Sequence, residues 1–141
     1  MKIWKKEFTL ESIQARRKGS MVEHLGIEME EVGDDYLIAS MPVDHRTVQP
    51  MGILHGGASI VLAETVGSMA ANLAVEEGYY CVGLEVNGNH LKSVSEGRVF
   101  AKTTPVHLGR KTQVWDIRIS DEAGKNTCIS RLTMAVLKHD K

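Results

Sequence analysis

Cysteine, proline and an excess of charge of either sign are all scarce in this chain. The two cysteines, Cys81 and Cys128, lie far apart and outside any Cys-x-x-Cys spacing, which removes a disulfide framework and a thiolate metal site. Reduced thiols used so sparingly point to the cytoplasm. The three prolines are isolated, and no Pro/Gly/Ser linker, internal repeat or low-complexity tract divides the 141 residues, so one domain over residues 1–141 is expected. Lys and Arg number 17 against 18 Asp and Glu, a net charge of −1 that gives no general attraction for nucleic acid or an anionic membrane. An anionic ligand would need a local basic cluster. Behind Lys2, Lys5, Lys6 and Glu7 there is no apolar stretch of the kind a secretory signal requires. Also missing are Gly-x-x-x-x-Gly-Lys, Gly-x-Ser-x-Gly, Gly-x-Gly-x-x-Gly and His-Glu-x-x-His. The six histidines form no i, i+2 or i, i+4 pair, so no metal is expected.

What is present is the composition of an ordinary folded chain, 43% hydrophobic and 25% charged. Thr9 suits the N-cap of a short helix from Leu10 to about Lys18, with Gly19 past its end. Two β-compatible runs, Leu25 to Val32 and Tyr36 to Val43, flank the turn cluster Gly33-Asp34-Asp35 and predict a hairpin. Asp44 to Ile53 reads as a loop. From Gly57 to Val75 nearly every residue is apolar or small, which predicts a helix buried nearly all round, closed by Glu76, Glu77 and Gly78. A carboxylate near its middle and the absence of a second such segment argue against a membrane span. Three β stretches follow: Tyr80 to Leu91, Arg98 to Val106, and Lys111 to Leu137 broken near Asp121 to Lys125. The expected plan is α+β, an antiparallel sheet of about six strands wrapped around one long central helix, the arrangement called a hotdog.

Chemistry concentrates between Gln49 and Ser68. Gly56 and Gly57 at a helix start leave backbone N–H groups unshielded at the positive end of the helix dipole, where a polarised carbonyl oxygen can be held. Two glycines alone are explained more simply by a tight turn into the helix. Glu64 shifts that balance, because a carboxylate among Val61, Leu62, Ala63 and Val66 is costly to bury unless it is paired or used. The polar residues on its side of the helix are Ser68 and Asn72, with Thr65 beside it. Trp4, Trp115, Tyr79 and Tyr80 read as core or interface packing, and Arg131, in an apolar strand, as a charge needing a partner.

The run Gln49 to Ser68, with His55-Gly56-Gly57 and Glu64 eight residues after Gly56, resembles the hotdog acyl-CoA thioesterases of the phenylacetate and 4-hydroxybenzoyl-CoA (Arthrobacter-type) group. Similarity to the 1,4-dihydroxy-2-naphthoyl-CoA thioesterases of menaquinone biosynthesis extends over nearly the whole chain. It runs through Met41-Pro42-Val43-Asp44, Arg46-Thr47, Leu62-Ala63-Glu64, Val82-Gly83-Leu84-Glu85, Asn89-His90, His107-Leu108-Gly109, Gln113-Val114-Trp115 and Ser130-Arg131-Leu132-Thr133. The resemblance implies hydrolysis of an aromatic acyl-CoA without a cofactor, with Glu64 as nucleophile or general base. It gives Gly56 N–H the thioester carbonyl, Gln49 and His55 the carbonyl or the attacking water, and Ser68 and Met69 the acyl pocket. Coenzyme A contacts fall on Gly83, on His90, Leu91, Lys92 and Ser93, and on His107, Leu108, Gly109, Arg110, Lys111 and Thr112. Relatives carry Arg where this chain has Lys92, which keeps the charge but loses the bidentate fork. The motifs fit less narrowly the acyl group, and a proofreading enzyme acting on aryl carriers is the alternative; a hotdog dehydratase and a non-catalytic acyl-CoA sensor are further rivals.

Helix geometry adds an expectation about assembly. Eight residues at ~1.5 Å rise put the α-carbons of Gly56 and Glu64 about 12 Å apart along the axis. A carbonyl on the Gly56 amide is then out of reach of the same chain's Glu64, whose side chain has restricted directions. A homodimer with shared sites is expected, and the resemblance implies further pairing into a dimer of dimers.

Overall fold

A computed structural model describes residues 1–140. Helix α1 covers Leu10–Ala15, and Thr9 and Ser12 form a reciprocal capping box at its start. The helix is shorter than expected. Beyond Ala15 the N–H groups of Arg16, Arg17 and Lys18 bond three residues back, to Ile13, Gln14 and Ala15, so the last turns tighten and stop at Gly19. A second short helix, α2 (Met21–His24), with Ser20 as N-cap, occupies ground the sequence left unassigned and delays the first strand. The hairpin then forms as β1 (Glu28–Val32) and β2 (Leu37–Pro42).

Helix α3 (Gly56–Leu73) has His55 as its N-cap and ends at Ala74, not at Gly78. The expected glycine stop is displaced because the N-terminal segment supplies it: the N–H groups of Lys5 and Lys6 donate to Leu73 O at 2.9 and 3.3 Å. Gly78, with φ 92°, instead makes the turn into β3. The remaining strands are β3 (Tyr79–His90), β4 (Arg98–Leu108), β5 (Thr112–Ser120) and β6 (Asn126–Lys138). All pair antiparallel in one sheet of order β1-β2-β4-β5-β6-β3, so the long strand β3 is an edge.

The sheet curls around α3, which packs on β2 through β6, giving the hotdog fold. Inward-facing Met41, Ile117, Ile119, Leu132, Met134 and Trp115 meet Leu62, Val66 and Leu73 of the helix in a core where each large side chain fully removed from water contributes about 1.5–3 kcal/mol. Trp115 is core, as expected, and Trp4 and Tyr79 pack at its margin. Envelopment is one-sided, however. Gly57 is exposed and Val61, Glu64, Thr65, Ser68 and Asn72 are half-buried, leaving one flank of α3 only partly covered. Among the described residues no helix is long and apolar enough to cross a membrane.

Candidate active site

The loop before α3 is built to hold the helix start. Asp44 accepts hydrogen bonds from the Arg46 backbone at 2.9 Å and from its guanidinium at 2.8 and 3.2 Å, and those bonds hold its carboxyl down to about 2. Thr47 Oγ1 donates to Pro42 O at 2.7 Å, and His55 N–H donates to Thr47 O at 2.8 Å. Gln49 is half-buried; its Oε1 accepts the Met51 N–H, while its backbone bonds Ile53 and Gly52 across a turn in which Gly52 has φ 81°. His55 Nδ1 then accepts the Gly57 N–H at 2.8 Å, so the neutral ring carries its proton on Nε2. The Gly56 N–H donates to no described residue. Against Gly56 lies the ring of His90: a Cβ there would sit 2.8 Å from Nε2, so only glycine lets this ring close on the helix start.

The Asp44 clip is checkable by pH. Its folded-state carboxyl titrates below the ordinary value near 3.8, so its stabilisation is complete above about pH 4 and is lost as the pH falls toward 2. Because both side chains are about a third exposed, solvent screening keeps that contribution small. The Tm gap between wild type and Asp44→Asn should therefore be full at pH 6 and shrink between about pH 4 and 2; a gap that stays constant would show that the charge plays no part.

Two turns along α3 from Gly56, Glu64 faces β3 and is half-buried. Its Oε2 lies 2.6 Å from where a Cβ on Gly83 would stand, and among the described residues the carboxylate makes no hydrogen bond or ion pair. Strand β3 bulges at this point, its register on β6 shifting between Gly83 and Glu85. One turn on, Ser68 Oγ contacts Met134 Sδ at 3.8 Å, and Met134 Sδ in turn lies 3.9 Å from the Gly83 Cβ position, so Glu64, Ser68, Gly83 and Met134 form one cluster. Asn72 closes the stripe by accepting the Cys81 N–H at 2.7 Å and donating to Cys81 O at 3.3 Å, which clamps the helix to the strand edge. Met69 turns away, its sulfur 3.9 Å from Arg16 Nη1 near α1. Burial pushes the Cys81 thiol up to about 11 and raises that of Cys128, so neither offers a thiolate near neutral pH.

The expected coenzyme A contacts do not meet within one chain. His90 to Ser93 lie by the start of α3, where His90 touches Gly56, whereas Leu108, Gly109 and Arg110 adjoin Ala74 to Glu76 past its other end, about 27 Å away for a helix of 18 residues. Lys92 is engaged: its Nζ is 2.9 Å from Asp121 Oδ2, and this pairing lowers the Asp121 carboxyl below its ordinary range. Arg131 finds its partner in Asp116 at 3.9 Å. The clasp of Asn72 on Cys81 and the close fit of Gly83 to Glu64 are features that the sequence reading missed, because both depend on how β3 is laid along α3.

The chain as a whole is similar to known proteins. Over 135 residues the chain is 54% identical to 1,4-dihydroxy-2-naphthoyl-CoA hydrolase of Escherichia coli, covering 96% of this chain and 99% of that one. It is 53% identical to the proofreading thioesterase EntH of Cronobacter turicensis, with 96% and 98% covered. The crystal structure of a thioesterase from Haemophilus influenzae superposes with a TM-score of 0.95 at 53% identity, over 96% of this chain and 95% of that one. Residues 51–128, which carry the helix start, α3 and strands β3 to β5, match the thioesterase superfamily. By this match and by similarity along nearly its whole length, the chain belongs to the thioesterase superfamily.

Proposed function

We propose that this chain hydrolyses an aromatic acyl-CoA, of the 1,4-dihydroxy-2-naphthoyl kind, to the free acid and coenzyme A. The observation that carries the reading is Glu64, a carboxylate midway along an apolar helix that meets a glycine instead of a donor. A group so placed costs stability, a cost retained where the group reacts. The Gly56 N–H receives the thioester carbonyl and stabilises the developing oxyanion, an effect of about 3–4 kcal/mol per donor. Glu64 either takes a proton from the attacking water and returns it to the departing thiolate, or attacks the carbonyl carbon itself to give an anhydride that water opens. On both routes the C–S bond breaks, one water is consumed, and acid and thiol leave. A thiol with an ordinary pKa near 8.5 departs without a strong acid, so the reaction needs no metal or cofactor. Gln49, with its amide nitrogen left over after Oε1 is used, and His55, through Nε2, orient the carbonyl or the water, while Ser68 lines the acyl pocket and Met69, turned toward α1, stands outside it.

The site is completed by a second copy. Three observations support this: the 12 Å or so between Gly56 and Glu64 along one axis, the half-covered flank of α3, and the unpaired 12-residue edge of β3 with Val82 41% and Leu84 61% exposed. Two chains joined antiparallel about a two-fold axis set each Glu64 beside the other's helix start. The same operation brings the helix end bearing the 107–112 turn of one copy to the His90–Ser93 end of the other. Leu137, paired with Tyr80 across β3 and β6 and 40% exposed, supplies apolar surface for a dimer of dimers. The enzyme works in the cytoplasm.

Thiol release from a panel of benzoyl-, naphthoyl- and palmitoyl-CoA and an aryl-carrier thioester tests the reading. The aromatic CoA esters should exceed palmitoyl-CoA in kcat/KM by at least about tenfold; a preference for palmitoyl-CoA would reverse the assignment. Similarity to EntH favours a second reading, proofreading of aryl carriers, which a higher kcat/KM on the carrier thioester would establish. Binding of acyl-CoA with no thiol release would leave only a sensor.

A further inference from the structure

Residues 1–8 form neither helix nor strand, yet they are tied down across the C-terminal end of α3. Ile3 N–H donates to Asp34 O at 3.0 Å, Trp4 Nε1 to Gly33 O at 2.8 Å, Lys5 N–H to Leu73 O at 2.9 Å and Lys6 Nζ to Tyr79 O at 2.9 Å. Beneath this strap lies a cavity of about 520 Å³, within the range of small-ligand sites. Ile3, Val75 and Leu108 give it apolar walls, and Lys2, Lys5 and Arg110 give it three cations against the single acid Glu76, whose Oε2 is 4.0 Å from Lys5 Nζ. Lys2 and Arg110 have no ion-pair partner among the described residues. Gln113 also lines the cavity. It is 1% exposed, and its Oε1 accepts the Trp115 Nε1–H at 2.8 Å, while its amide N–H groups donate to no described residue. That amide nitrogen is free to donate to an acceptor bound in the cavity.

We propose that the N-terminal strap is a wall of the substrate site, and that Lys2, Lys5 and Arg110 together hold the phosphate oxygens of the nucleotide end of a coenzyme A thioester. The inference rests on the thioesterase reading. The cavity is lined at the helix end by Ala74, ten residues beyond Glu64 and about 15 Å along the helix, an interval left to the pantetheine arm. Phosphates spread over several oxygens call for several charged donors converging from different segments, and the strap and the β4–β5 turn supply them. A concave site with a buried amide at its wall suits a small charged group, whereas a folded acidic carrier, which the same cations would attract, cannot enter it.

Calorimetric titration with adenosine 3′,5′-bisphosphate tests the proposal without turnover. Lys2→Ala/Lys5→Ala should bind it about tenfold more weakly than wild type. The same variant should raise KM for benzoyl-CoA about tenfold and for S-benzoylpantetheine, which lacks the nucleotide, less than about twofold. Lys2→Arg/Lys5→Arg should restore the affinity. The strap is anchored by the Lys5 backbone, so these changes spare its tie to Leu73; Lys2→Gln alone, at a side chain without a described partner, should still weaken binding about threefold. Unchanged bisphosphate affinity in the alanine variant overturns the proposal, and does so whether or not the thioesterase reading stands. Unchanged bisphosphate affinity combined with lost activity on an aryl-carrier thioester would assign the strap to carrier docking, and so overturn it too. Failure of wild type to release thiol from any acyl-CoA would instead strike at the thioesterase reading, leaving the titration to decide the strap.

Discussion

Glu64→Gln is expected to lower kcat by roughly three orders of magnitude while Tm moves by no more than a few degrees. The amide has the shape of the carboxylate but can neither take a proton from water nor attack a carbonyl. Since Glu64 makes no hydrogen bond or ion pair among the described residues, the exchange breaks no folded-state contact, and removing a half-buried unpaired charge is neutral or mildly stabilising. Steady-state thiol release with a melting curve on the same preparation checks both halves. Near-normal turnover would remove Glu64 from the chemistry, and a collapse of Tm would make it a structural residue.

Gly83→Ala is expected to lower kcat by about a hundredfold, because displacing a reacting group by the order of 1 Å carries a penalty of that size. The added methyl would stand 2.6 Å from Glu64 Oε2, closer than such atoms approach, so the carboxylate must swing aside or the bulge must shift. Stability should change little, as β3 is an edge and alanine suits a strand no worse than glycine. Gly67→Ala is the control: its methyl would lie 2.5 Å from Leu132 Cδ2 on the core side of the same helix. That variant should lose Tm through overpacking and keep kcat per folded molecule. If Gly83→Ala turns over normally with melting unchanged, the carboxylate does not work from the position seen against β3.

The long helix and the six strands were legible because their signals are local: an apolar run from Gly57, and β-compatible stretches between turn clusters. The end of α3 was not legible. Gly78 carries the usual stop signal, but the carbonyl of Leu73 is met by the backbone of residues 5 and 6, some seventy positions earlier in the chain. Helix α2 escaped notice since four residues are too few for a periodic pattern. At the site, Glu64 stood out as a charge out of place, and the glycines before it as exposed amides. The contact of Glu64 with Gly83 had no such signature, being set by a bulge and by the Asn72 clasp on Cys81. Lys2 and Lys5 read only as a charged beginning; the fold carries them across the molecule to Arg110.

The central claim, that Glu64 of one chain serves the helix start of another, is tested most directly by mixing two defective chains. Glu64→Ala and Gln49→Ala, each nearly inactive alone, are unfolded together, refolded and assayed beside each variant refolded by itself. Random pairing makes half the dimers mixed, and in each of these one site has both groups intact, so recovered activity should approach about a quarter of wild type. If heterodimers verified by mass spectrometry show no gain over the separate variants, the two groups act within one chain and the shared site is wrong.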